Sequence, residues 1–150
     1  MADSPLTRLA KLKAVQQLRL ASERAELGRH VARTAEATAK LRQEEGRLKR
    51  DEAKQRAVLA ADYFDPGELR LASLVLEQQQ QAANSARAAL KERRGAEGKS
   101  RQAAAICEAQ DENLGDALRK IGRKSIEKAD AALAIELAVP GIARANGGKA

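Results

Sequence analysis

Asp65-Pro66-Gly67-Glu68 decides how this chain of 150 residues folds. Asp65 can accept hydrogen bonds from the free amides of a helix start, and Pro66 suits the first helical position. Glu68 stands where a capping box places its acid. Pro66 also disfavours helical geometry at Asp65, so an incoming helix has to stop just before it. On either side the sequence reads as helix. Ser4-Pro5 is a second cap-and-first-turn pair, and opens a helix over about residues 6–62. The turn is Tyr63-Phe64-Asp65. A second helix follows over about 66–138, where Val139-Pro140-Gly141 is expected to stop it and leave 139–150 as a flexible, frayed tail. The fold class is all-α: a long antiparallel two-helix coiled-coil hairpin, residues 1–138, with its tip at 63–65.

Composition agrees. The chain has one Phe, one Tyr and no Trp, so the large aromatic areas of an ordinary globular core are missing. The 43% of hydrophobic residues are mostly Ala and Leu, and 33% are charged, which suits long solvated helices. Leu6, Leu20, Leu27, Leu41 and Leu48 fall on one seven-residue ladder, with Lys13 and Thr34 on its missing rungs. Leu9, Leu12, Val15, Val31, Val58 and Leu59 are expected to thicken the same side. Such a repeat indicates a left-handed coiled-coil seam. A turn centred on residue 65 would pair residues whose numbers total about 130. Leu59 would then face Leu71, Leu41 face Leu90, Leu12 face Leu118 and Leu9 face Ile121. Gly95 and Gly98 predict a bend or soft zone, since each glycine costs a helix about 1 kcal/mol relative to Ala.

The residues offer little chemistry. His30 and Cys107 are single, which disfavours a Cys–His catalytic pair and leaves no zinc or iron ligand set. One cysteine forms no internal disulfide and fits a reducing compartment. Gly122-Arg123-Lys124-Ser125 lacks the first glycine and the lysine position of a phosphate loop. No catalytic, cofactor-binding or metal residues are assigned, and no apolar run approaches a membrane span. The expectation is a non-enzymatic cytoplasmic protein without a cofactor.

Partners are the remaining possibility. The net charge is +7, and residues 1–61 carry 14 Lys/Arg against 8 Asp/Glu. A basic arm attracts nucleic acid, acidic lipid or acidic protein surfaces, although a solvated helix face that keeps the chain in solution is the preferred reading. Two stretches carry apolar groups that the hairpin does not obviously use. One is the tip, with Phe64 read as a hydrophobic staple to Leu69 and Tyr63 as an anchor. The other is the end of helix two, where Ile126, Ala129, Leu133 and Leu137 recur at helical steps beyond the start of helix one.

This pattern resembles the FliJ/YscO family, cytoplasmic stalk proteins of bacterial type III (flagellar or injectisome) export. The similarity rests on the Leu ladder and on Ala60-Ala61-Asp62-Tyr63-Phe64-Asp65-Pro66-Gly67-Glu68-Leu69. The run Leu74-Val75-Leu76-Glu77-Gln78-Gln79-Gln80-Gln81 that follows adds to it. The chain departs from many members in having no Trp in helix two. The resemblance implies an antiparallel coiled-coil stalk coupling the export ATPase hexamer to the cytoplasmic domain of the export gate, with export chaperones as further partners. It would place Tyr63, Phe64, Leu69 and Leu76 on the gate side. Leu6, Leu9, Ile126, Leu133 and Leu137 would lie on the ATPase side. The alternatives are a basic nucleic-acid-binding coiled coil and a generic helical adaptor.

Overall fold

The computed structural model describes residues 2–146, with side chains as far as Ala138. It consists of two long helices packed against each other, α1 (Pro5–Ala60) and α2 (Pro66–Asn146), with no strand among the described residues. The all-α helical hairpin is therefore as the sequence predicts. Both helix starts are built from the expected residues. Ser4 Oγ accepts from the Thr7 amide at 3.2 Å, and the Ser4 carbonyl accepts from Arg8 at 3.0 Å. At the second start Asp65 Oδ1 accepts from the Gly67 amide at 2.9 Å, while its carbonyl accepts from Leu69 at 3.2 Å. Removing the side-chain acceptor with Asp65→Ala is expected to cost about 1 kcal/mol, measured by urea unfolding.

Two boundaries differ from the sequence reading. α1 ends at Ala60, because reversing the chain takes the five residues 61–65. Second, α2 does not stop at Val139-Pro140-Gly141 but continues to Asn146. A proline removes one amide donor and crowds one carbonyl, and the turns on either side keep their own hydrogen bonds. Of the expected tail, residues 147–150 lie outside the described residues. Gly95 and Gly98 lie within continuous helix. Neighbouring turns of good helix formers outweigh the local glycine cost.

Contacts divide the hairpin into two parts: residues 22–105, which include the turn, and residues 1–21 with 106–150. In the part with the turn, the α1 positions that face α2 alternate at steps of three and four: Leu27, His30, Thr34, Ala37, Leu41, Glu44 and Leu48. The leucine ladder is one half of this seam, as expected. The other half is small or polar. Val31 and Leu59, expected on the same side, are exposed, because their positions fall outside the alternation. On α2 the centre of the seam is Ala83, Ala86 and Leu90, with Ala83 fully buried. Alanines leave room for close helix approach, but the strip they bury is narrow.

The register also shifts. A connection over 61–65 centres on residue 63 rather than 65, so facing residues have lower numbers on α2 than expected. Gln55 Nε2 donates to Ser73 Oγ at 3.1 Å and Gln79 Nε2 to Glu44 Oε2 at 2.6 Å. Leu41 and Leu90 still line one shared groove. The Leu59–Leu71 pairing fails, since both side chains are exposed.

In the part with the chain ends, Lys13 Nζ donates to the Asp111 carbonyl at 2.7 Å and lies 2.8 Å from Asp111 Oδ1. Gln16 Nε2 donates to the Cys107 carbonyl at 3.2 Å. Leu20 and Cys107 are buried; Cys107 fills the seam as a small apolar residue. Leu9, Leu118 and Ile121 are half-buried, whereas Leu12 and Val15 are exposed, which removes the Leu12–Leu118 pair.

Candidate docking surfaces

Lys13 opposite Asp111 places the first residues of α1 opposite α2 positions near 119. Beyond that point α2 has no facing helix. From Arg123 to Ala138 every residue is exposed. This arm holds its helix through local propensity, with Ala129, Ala131, Ala132, Ala134 and Ala138 among sixteen residues.

Successive α-helical residues are turned by about 100°, which sorts the arm into two apolar faces. Ile126, Ala129, Leu133 and Leu137 form one, and Leu137 is 78% exposed. Ile135 lies on nearly the opposite side and is also exposed. It continues the seam line of Leu114, Leu118 and Ile121 past the end of α1. A helix carrying large apolar groups on two sides is suited to enclosure rather than to a flat surface. Of the residues the resemblance placed on the ATPase side, Leu6, Ile126, Leu133 and Leu137 are exposed here. Leu9 is half-buried in the seam.

The turn is the second surface. Tyr63 is 86% exposed and Phe64 about half exposed. Leu69 and Leu76, which the resemblance placed beside them, occupy seam positions and are half-buried. The seam alternation runs through 69, 72 and 76, so these side chains turn towards α1. The exposed apolar residues after the turn are Leu71, Leu74 and Val75. Sequence reasoning missed Leu71 because the register centred on residue 65 had paired it with Leu59. Leu71 and Val75 instead line an open groove with Val58 and Ala72.

Some polar groups inside the seam are paired, whereas His30 Nδ1 and Ser100 Oγ are buried without a hydrogen-bond partner. Glu44 is 8% exposed, and Gln79 Nε2 donates to both its carboxylate and its carbonyl, the latter at 3.1 Å. His30 Nε2 lies 3.8 Å from Glu26 Oε1, and His30 lines a groove with Ser100, as the sequence register anticipated. Hydrogen bonds from Arg101 and then Thr34 hold the Glu97 carboxyl below its ordinary range. The Asp116 carboxyl is lowered by Arg119. A carboxyl lowered in the folded state stabilises above its unfolded pKa, and that contribution is lost as pH falls through the folded value.

Among the described residues no group of three or more His, Cys, Asp or Glu could hold a metal ion. Nor is any helix among them long and apolar enough to cross a membrane. No protein-family model, curated protein or solved structure matches the chain.

Proposed function

We propose that this chain is a non-enzymatic helical-hairpin adaptor that works by inserting the α2 arm into an enclosing partner. Its more specific role, on the resemblance to the FliJ/YscO group, is that of a stalk in a bacterial type III export apparatus. There it would couple the export ATPase hexamer to the export gate and handle export chaperones on the cytoplasmic side of the membrane. The observation that carries the docking reading is the unaccompanied stretch of α2, with Ile126, Leu133 and Leu137 on one side and Ile135 on the other. Water-exposed apolar groups of this size gain about 1.5–3 kcal/mol each when fully covered. The tip, with Tyr63 and Phe64, is the second contact point in this reading.

The test is co-purification with a type III export ATPase hexamer. Wild-type chain is expected to elute with the ATPase on size exclusion. Leu133→Asp combined with Leu137→Asp should lose that complex while keeping its helical circular dichroism, because both side chains are exposed in the free hairpin. Intact binding by the double variant would refute the arm as the docking element. Absence of binding by the wild type would refute the export reading. Submicromolar DNA affinity at physiological salt would favour the nucleic-acid alternative instead.

A further inference from the structure

We propose that the groove beside the turn receives the α2 arm of a second copy of this chain, in a head-to-tail contact. The groove has an apolar floor of Val58, Leu71, Ala72 and Val75. Its charged rim is Asp51, Asp65 and Glu68 against a single Lys54, and Lys54 Nζ lies 3.7 Å from Asp51 Oδ1. In a chain of net charge +7 this is a local reversal of sign around an uncovered apolar surface.

The complementary surface is on the same chain. Where α2 passes the end of α1, the face that continues the seam carries Ile121, Lys124, Lys128, Ala132 and Ile135. At about 100° per residue these five lie within one quarter of the helix circumference, and Glu127, Asp130 and Glu136 fall outside it. The face is thus cationic and apolar, with no acid in it. A helix laid in an apolar groove, with its charges meeting opposite charges on the rim, is a common recognition mode. Complementary charge also favours this pairing.

Groove and arm are different surfaces, so each contact joins the arm of one copy to the groove of another. This inference does not rest on the export reading. It uses the side of the arm away from Leu133 and Leu137, so the two proposals fail on different variants.

The experiment is sedimentation velocity of the purified full chain across a micromolar concentration series at low and high salt. The average mass is expected to rise with concentration above that of a single chain, and to fall back at high salt. Glu68→Lys alone, and Lys124→Glu combined with Lys128→Glu, should each weaken association by about tenfold or more. All three residues are exposed, so both variants should keep the helical content of the wild type. Mixing the two variants should restore association, because the native arm of the Glu68→Lys chain then meets the native groove of the other chain. Association that survives Glu68→Lys, a mixture that stays dissociated, or a wild type that remains monomeric throughout would each overturn the proposal.

Discussion

Replacing Gly28, Gly46, Gly95, Gly98 and Gly122 together with alanine is expected to stabilise the hairpin by about 3–5 kcal/mol. All five lie inside helix, and none has a positive φ. A Cβ built at any of them meets nothing within 4 Å. The usual reasons for glycine, a left-handed backbone or a close approach, are therefore absent. What remains is the entropy that glycine loses on becoming helical, about 1 kcal/mol per site relative to Ala. The sites are spread along both helices, so their effects should nearly add. Thermal and urea unfolding of the fivefold variant would measure the gain. A change below about 1 kcal/mol would mean that the glycines carry no helical penalty here, and that the helices are held by something other than local propensity. Gly67 and Gly115 are left out, because a Cβ there would lie 3.2 Å from Asp65 Oδ1 and 3.3 Å from Lys13 Nζ.

Gln79→Leu is expected to destabilise by about 1–3 kcal/mol, whereas Gln79→Leu with Glu44→Leu should recover that loss and reach or exceed wild-type stability. The asymmetry follows from burial. Glu44 is nearly enclosed, and Gln79 donates to it at 2.6 Å across the seam. Removing the donor alone leaves a partly desolvated carboxylate beside Arg47, which is 3.5 Å away and about half exposed. Removing both groups converts the layer to apolar contact. A double-mutant cycle by urea unfolding gives the coupling directly. Equal losses in the single and double variants would show that the pair contributes no coupling. If the pair acts as a register pin, as polar seam residues do in some coiled coils, the double variant should also lose uniqueness of packing, visible as poorer amide dispersion in NMR.

Both results bear on how the docking surfaces are held. The arm of α2 has no facing helix, so its order depends on propensity and on whatever covers it. A glycine at 122, where α1 gives out, lies at the base of that arm. Gly122→Ala on its own therefore separates two effects, helix stability and arm docking, that the fivefold variant combines.

The sequence by itself determined the elements and the topology. Ser4-Pro5 and Asp65-Pro66 mark helix starts through local hydrogen bonds and a fixed φ, which need no tertiary partner to be read. The ladder of Leu20, Leu27, Leu41 and Leu48 set one side of the seam, because its seven-residue period is written in the chain. The bare end of α2 was legible in the same way, from apolar residues beyond the reach of α1. The tertiary structure alone decided the register, and with it the fate of individual side chains. A five-residue connection ending α1 at Ala60 moved the centre of the turn by two residues. Leu59 and Leu71 fall outside the seam alternation and are exposed, whereas Leu69 and Leu76 fall on it and are half-buried. The Glu44–Gln79 pair in the seam was also invisible beforehand. Charged and amide side chains read as solvent-facing until a specific partner on the other helix is placed within hydrogen-bonding distance.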